Sequence, residues 1–264
     1  MVIGNGADYT AQVTGTLSKA TGTFADVKSG ITEKGQIDDT GRQVKNAFTL
    51  QLNSQFFADP SACSKAAVPA DCYGWQQFVY AFHYSGDTNE VFMQYWLLYY
   101  DTTCPNDWDT YSTDGYIFCY ANSPATAFGS LPANALGDTT FVGQATSGGN
   151  DTVSLTSTSG ASSVSNSDSK LDLSKYWNTT EWGVFGDAGG GQANFGKRAT
   201  LEPITTLKGT SSSAPTCVAG SGTTGETNNL NFTQTKALTS ESLPTMATTQ
   251  TDGKVKTPSC QVAS

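Results

Sequence analysis

Histidine and basic residues are both scarce in this chain. Its 264 residues include one His, His83, and only 14 Lys and Arg against 23 Asp and Glu. One His cannot complete an ordinary Cys/His zinc site, and a Ser-His-Asp or Cys-His mechanism would have to use His83. So few basic residues leave no patch for a nucleic-acid backbone. The sequence therefore predicts no metal, no cofactor and no nucleic-acid partner.

Long apolar runs are also missing. No stretch of 18 apolar residues occurs, so we expect no membrane-spanning helix, and no signal peptide is recognisable. The chain instead carries a net charge of −9, with a sequence pI near 4.4. A surface of this kind suits an acidic working medium, because it stays charged until the carboxylates titrate, and it equally suits simple solubility.

The cysteines point to an oxidising compartment. None of the six forms a C-x-x-C pair, which favours disulfides over a metal site. Pairing of neighbours in the sequence is one of several possible connectivities: Cys63–Cys72, Cys104–Cys119 and Cys217–Cys260. N-glycosylation sequons occur at Asn150, Asn178 and Asn231. The even number of Cys and the sequons together predict a secreted glycoprotein.

The pattern of the chain predicts an all-β protein. Ser, Thr, Gly and Asn are abundant, and short alternating stretches are separated by turn residues. We expect an antiparallel β-sandwich or jelly roll, concanavalin-like and stapled by disulfides, in a monomeric protein. Residues 1–45 are expected to be edge strands or a leader, residues 46–207 the sandwich, and residues 208–264 a Ser/Thr/Gly-rich wrap of the same domain.

One polar residue interrupts the most apolar segment of the chain, residues 90–100, which we expect to form a hairpin with residues 75–84. In a strand, Phe92, Gln94 and Trp96 share one face, because side chains alternate. An unpaired buried amide costs about 1–3 kcal/mol. Gln94 is therefore either satisfied by a structural network or directed at a ligand.

Glu181 is the matching carboxylate. It begins an apolar strand beside Trp182, where contact with apolar rings can raise the pKa of a carboxyl and suit it to acid–base work. A solvated charge at the start of the strand is the alternative. Together, a carboxylate and an amide can hydrolyse a peptide bond: the carboxylate takes a proton from water, and the amide donates hydrogen bonds to the oxyanion. Gln94 and Glu181 are thus the predicted catalytic residues.

At this point the chain resembles the glutamic peptidases called eqolisins, secreted fungal and bacterial β-sandwich enzymes that use a Gln/Glu pair at acid pH. Val91-Phe-Met-Gln94 is similar to the family's Gln strand, and Thr180-Glu-Trp182 is similar to its Glu-Trp motif. Leu136-Gly-Asp-Thr139 and Phe195-Gly-Lys-Arg-Ala-Thr-Leu201 are similar to neighbouring strands. The resemblance implies a secreted acid endopeptidase acting on polypeptides. The family's Tyr- and Trp-rich substrate motif is not recognisable here.

Other functions stay open on the same residues. The aromatic side chains are dense enough for a substrate platform, with Trp75, Trp96 and Trp182 as the candidate substrate-binding residues. The same density would suit a concanavalin-like carbohydrate-binding or surface-adhesion module without catalysis. A purely structural secreted glycoprotein is the third hypothesis. Four Asp in residues 101–114 are interpreted as a solvated loop rather than a Ca²⁺ site, because they match no EF-hand spacing.

Overall fold

Two β-sheets pack face to face in the computed structural model, which describes residues 2–36, 41–58, 61–82, 88–187, 189–239 and 241–264. The prediction of an all-β sandwich is confirmed, and so are the three neighbour-paired disulfides. Neighbouring strands run antiparallel, apart from one parallel pair between Gln192–Phe195 and Thr227–Thr233. No helix among the described residues is long and apolar enough to cross a membrane.

The described strands are numbered in chain order. They are β1 Val2–Gly4, β2 Tyr9–Gln12, β3 Leu17–Val27, β4 Glu33–Gln36, β5 Gln43–Lys45, β6 Phe48–Ser54, β7 Tyr73–Ala81, β8 Asn89–Leu98, β9 Asp109–Thr113, β10 Tyr116–Asn122, β11 Thr126–Phe128, β12 Thr140–Gln144, β13 Asn150–Ser157, β14 Gly160–Ser167, β15 Thr179–Gly186, β16 Gln192–Phe195, β17 Thr200–Gly209, β18 Thr216–Ala219, β19 Thr227–Thr233, β20 Thr245–Thr251 and β21 Cys260–Ala263. One short α-helix, α1 Leu173–Tyr176, and 3₁₀ turns at Ala62–Lys65, Pro69–Asp71, Ala133–Asp138 and Asp168–Lys170 complete the elements.

The nine-stranded sheet carries the candidate site. Its order is β18-β2-β15-β6-β7-β8-β10-β9, with β11 added beside β8. Buried and half-buried residues alternate along β8, so Val91, Met93 and Tyr95 enter the core between the sheets. The predicted hairpin is present as β7 and β8, which pair antiparallel along their length.

Two segments depart from the expected arrangement. Strand β3, from the N-terminal region, lies inside the twelve-stranded sheet between β12 and β17 and is not an edge strand. The hairpin of β9 and β10 begins at Asp109, within residues 101–114, which we expected to form a solvated loop. From the C-terminal region, β19 and β20 are internal strands. The Cys217–Cys260 disulfide joins β18 of one sheet to β21 of the other, so it ties the two sheets together.

Candidate active site

A cleft of about 1000 Å³ lies on the outer face of the nine-stranded sheet. Its floor is built from side chains that occur directly opposite one another on neighbouring strands, and such pairs project to the same face. One cross-strand row is polar throughout. It runs over β15, β6, β7, β8 and β10 as Glu181, Asn53, Gln77, Gln94 and Asn122.

A second row, two residues along the strands, is aromatic. It consists of Trp75, Trp96 and Tyr120 on β7, β8 and β10. The ring centroids of Trp75 and Trp96 are 6.3 Å apart, and those of Trp96 and Tyr120 are 5.1 Å apart, with interplanar angles of 35° and 31°. A strip of amides therefore runs beside a strip of aromatic rings, which suits an extended polymer carrying both polar and apolar groups.

Glu181 lies at the end of the polar row, where it is 1% exposed. Its Oε2 accepts four hydrogen bonds, from Asn53 Nδ2 at 3.0 Å, Thr223 N at 2.9 Å, Thr223 Oγ1 at 3.0 Å and Thr224 N at 3.2 Å. The Thr donors belong to residues 221–226, between β18 and β19, which we call the strap. Glu181 Oε1 is buried and accepts no hydrogen bond from a permanent donor among the described residues.

Asp8 is the nearest ionisable neighbour of Glu181, and sequence reasoning did not identify it. It follows the turn after β1, is 3% exposed, and accepts a hydrogen bond from Gly4 N at 2.7 Å through Oδ2. Burial is the main cause that raises the pKa of Asp8 well above its ordinary value. The negative charge of Glu181 adds to this rise, and the Gly4 hydrogen bond opposes it.

Gln77 and Gln51 connect Glu181 to the open cleft. Gln77 Nε2 donates to Gln51 Oε1 at 3.1 Å and to Asn53 Oδ1 at 3.2 Å, and Asn53 Nδ2 donates in turn to Glu181 Oε2. Gln77 lines the cleft, although its side chain is only 4% exposed. Its Oε1 accepts no hydrogen bond from the part of the chain that the structure describes, so this amide keeps an unused acceptor beside the cleft.

The structure places Gln94 and Glu181 on the same face and in the same row, but three strands apart. With about 4.8 Å between neighbouring strands, their Cα atoms are about 14 Å apart, which is too far for one water to contact both side chains. The Gln94 amide is also satisfied locally: Nε2 donates to Asn122 Oδ1 at 3.0 Å, and Oε1 accepts from Trp96 Nε1 at 2.8 Å. Gln94 thus forms part of the cleft wall and fixes the Trp96 ring.

Of the three candidate Trp residues, Trp75 and Trp96 line the cleft and Trp182 does not. Because Trp182 follows Glu181 directly in β15, its side chain points to the opposite face. There it stacks on Phe141 at 5.6 Å, contacts Phe24 at 5.2 Å and donates to Thr23 O at 3.1 Å. The expectation that Trp182 binds substrate was therefore wrong, since this ring belongs to the core between the sheets.

The comparisons with known proteins found one distant likeness. No family model matches the chain, and no curated protein matches it. Among solved structures, it is similar to the crystal structure of Scytalido-glutamic peptidase with a peptide-based transition-state analogue, at 10% identity and a TM-score of 0.37. The match covers 92% of this chain and 97% of that one. At these values the likeness assigns no activity, and the site has to be judged on its own geometry.

Two further carboxylates line the cleft. Glu226 Oε2 accepts from Thr224 Oγ1 and, at 3.3 Å, from Gln51 Nε2. Asp187 is 7% exposed; its burial first, and then the charge of Glu226, raise its pKa to about 7. These side chains come from the end of β15 and from the strap, which lie far apart in sequence, so no local motif could have predicted that they meet.

Other sequence candidates have no place in the site. His83 falls outside the described residues. Asp101, Asp107 and Asp114 adopt positive φ angles of 54°, 66° and 52°, which identifies them as turn residues, and Asp109 begins β9. Within the described ranges, no group of three or more His, Cys, Asp or Glu side chains is arranged to hold a metal ion.

Proposed function

We propose that this protein is a secreted endopeptidase working at acid pH, in which Glu181 is the general base and the amide of Gln77 stabilises the oxyanion. The observation that supports this proposal is the hydrogen-bonded row that leads from the buried Glu181 through Asn53 to Gln77, which lines the cleft. The amide role thereby moves from Gln94 to Gln77, because Gln77 is one strand closer to Glu181.

The reaction needs only these groups and a water molecule. Glu181 Oε1 takes a proton from water, whose oxygen attacks the carbonyl carbon of the scissile bond. Gln77 Nε2 turns from its present acceptors and donates to the negative oxygen that forms. The proton on Glu181 then passes to the leaving nitrogen as the C–N bond breaks, so the products are a carboxylic acid and an amine.

Access of water to Glu181 requires movement of the strap. Thr223 and Thr224 donate to Glu181 Oε2, and Thr223 Oγ1 also accepts from Trp75 Nε1 at 3.1 Å. The strap therefore covers the carboxylate and contacts the aromatic row at the same time. We infer that a polypeptide bound along Trp75 and Trp96 displaces Thr223 and exposes Glu181.

A cleavage assay tests the proposal. The protein is incubated with an unfolded polypeptide between pH 3 and pH 6, and the products are identified by mass spectrometry. We expect cleavage by the wild type and by the surface control Asp138→Asn, and a loss of about 1000-fold or more in Glu181→Gln, which cannot accept the proton. Wild-type levels of cleavage by Glu181→Gln, or no cleavage by the wild type, would reject the assignment.

The aromatic row supports a second function, a carbohydrate-binding module without catalysis. Within the row of Trp75, Trp96 and Tyr120, each ring is tilted by no more than 35° from the next one. The amides of Gln94 and Asn122 flank this row. Sugar rings stack on such faces while amides bind their hydroxyls. Glycan-array binding that is lost in Trp96→Ala, with no cleavage of any polypeptide, would favour this function over the peptidase.

A further inference from the structure

Asp8 and Glu181 converge on one point beneath the strap. A Cβ atom placed on Gly222 would lie 2.5 Å from Glu181 Oε1 and 3.0 Å from Asp8 Oδ2. The two carboxyl groups therefore meet at a position that only glycine leaves open. Both side chains are nearly inaccessible to solvent, at 1% and 3% exposure.

The elements that carry or cover the pair contribute no cation. Glu181 is the only charged residue of β15, and the strap contributes only Glu226. The turn before Asp8 has no charged residue, and β2 adds only Tyr9 as a titratable group. None of these elements contains Lys, Arg or His. Two adjacent buried negative charges without a cation are strongly unfavourable, so the pair must keep a proton.

The surrounding hydrogen bonds decide which member keeps it. Glu181 Oε2 accepts from four donors, whereas Asp8 accepts the one hydrogen bond from Gly4. Donors stabilise the charged form of a carboxyl group, so the charge belongs on Glu181 and the proton on Asp8. The protonated Asp8 then supplies the donor that Glu181 Oε1 otherwise lacks.

We propose that Asp8 and Glu181 are a carboxyl pair sharing one proton, and that Asp8 is a positioning residue that orients the Glu181 carboxylate through a hydrogen bond to Oε1. The role of Asp8 rests on the proposed function; the shared proton does not. Asp8 is not among the residues that line the cleft, and it acts on the reaction only through Glu181. It acts by giving its hydrogen bond to Oε1 until substrate binding opens the strap and water replaces it.

The shared proton makes folding depend on pH in a defined way. The folded pKa of Asp8 is raised, so the folded chain holds a proton that the unfolded chain loses above its ordinary pKa of 3.8. The stabilisation is complete below that value and is lost as the pH rises through the folded pKa. One extra bound proton lowers the folding equilibrium constant by up to about tenfold per pH unit in this window.

Denaturant unfolding of wild type and Asp8→Asn from pH 3 to pH 8 tests the shared proton. Asn keeps a donor for Glu181 Oε1 but cannot ionise. For each pH unit, we therefore expect the folding equilibrium constant to fall by up to about tenfold less in the variant than in the wild type. The control Asp138→Asn, at an exposed site, should keep the wild-type slope. Equal slopes for Asp8→Asn and wild type would overturn the shared proton.

Two more measurements keep the test independent of variant folding and of catalysis. Among the Asp signals that titrate well above 3.8 in carboxyl carbon NMR of the wild type, one should disappear in Asp8→Asn; an ordinary titration for Asp8 overturns the pair. The kcat/KM of the wild type should fall as the pH rises towards neutrality, whereas that of Asp8→Asn should not. If the stability and NMR results hold without any peptidase activity, the proposed function fails and the pair stands.

Discussion

At the scale of single residues, the site is set by which face a side chain occupies and by which partners satisfy it. Trp182 and Glu181 are sequence neighbours with opposite roles, because alternate residues of a strand point to opposite faces. Glu33 is a buried side chain with incomplete hydrogen bonding: it is 1% exposed, its Oε1 accepts from Asn194 N at 3.3 Å, and its Oε2 accepts no hydrogen bond from the described residues. Burial is the main cause that raises the pKa of Glu33 to about 8.

Replacing Glu33 should make the protein more stable near neutrality. With a folded pKa above the ordinary 4.5, Glu33 stabilises the fold below 4.5 and loses that contribution as the pH rises through about 8. Glu33→Gln keeps the acceptor without the charge. We expect it to raise the free energy of unfolding at pH 7 by roughly 1–3 kcal/mol and to have little effect at pH 4, as measured by urea unfolding. Destabilisation at pH 7 would contradict this pKa.

The second residue-scale prediction separates core from cleft. Trp182→Ala should cost about 3–5 kcal/mol in the free energy of unfolding, because it leaves a cavity beside Phe141 and Phe24. Trp96→Ala, at a half-buried cleft position, should cost less stability and reduce ligand binding instead. Equal stability losses in the two variants would place both rings in the same kind of environment.

At the scale of elements, the strands could be predicted from sequence, but their neighbours could not. The β7–β8 hairpin follows from two neighbouring runs of strand-forming residues separated by a short turn signal. Both strands, and the residues that share a face of each strand, could therefore be predicted. Glu181 lies near Asn53 and Gln77 only because β15 pairs with β6, about 130 residues away in sequence. No local pattern in the sequence encodes that order of strands. The sequence points to Gln94 because this amide interrupts the most apolar segment of the chain. Asp8 and the strap could not be predicted for the same reason, because both are far from Glu181 in the sequence.

The strap offers an element-scale test with an internal control. In Gly222→Ala the added Cβ meets Glu181 Oε1 and Asp8, whereas at Gly225 no atom lies within 4 Å of a Cβ. We expect Gly222→Ala to lower the free energy of unfolding by about 1–3 kcal/mol and Gly225→Ala to change it by less than about 0.5 kcal/mol. The check is denaturant unfolding at pH 4. Equal effects would mean that the strap is not packed against the carboxyl pair.

At the scale of the whole molecule, one disulfide ties the two sheets together and several buried carboxyl groups make the stability of the fold depend on pH. The Cys217–Cys260 disulfide closes a long segment and joins the sheets. Buried carboxyl groups are distributed through both sheets: besides Asp8 and Glu33, burial raises the pKa of Asp151 to about 7, with Asp168 adding to the rise, and Asp187 behaves alike. Each of these groups binds a proton more tightly in the folded state, so the fold favours acid.

The contribution of each disulfide to the free energy of unfolding should depend on the length of the segment that it closes. Cys217 and Cys260 are 43 residues apart, and Cys63 and Cys72 are 9 apart. By the chain-entropy relation, replacing both Cys by Ser should cost about 4 kcal/mol for the first pair and about 2.5 kcal/mol for the second. Denaturant unfolding of the two double variants measures the order. A larger cost for Cys63–Cys72 would contradict the role of Cys217–Cys260 as the tie between the sheets.

The whole molecule should lose stability as acid is neutralised. Asp8, Glu33, Asp151 and Asp187 have raised folded pKa values and contribute below their ordinary values of 3.8 to 4.5. The contributions of Glu33, Asp151 and Asp187 are lost as the pH rises through about 7 to 8, and that of Asp8 is lost as the pH rises through its own raised pKa. We expect the free energy of unfolding to fall by more than about 3 kcal/mol between pH 4 and pH 8. A stability maximum at pH 7 or above would show that these carboxyl groups are ionised in the folded protein.

The proposed pairing of Glu181 with Gln77 rather than Gln94 is tested by a comparison of the two amides. kcat and KM for one peptide substrate are measured at acid pH in Gln77→Ala and Gln94→Ala. We predict a fall in kcat of about 100-fold or more for Gln77→Ala, because an oxyanion donor is lost. For Gln94→Ala we predict a fall in kcat/KM of less than about tenfold, caused mainly by a higher KM. A kcat that falls further in Gln94→Ala than in Gln77→Ala would show that Gln77 is not the oxyanion donor.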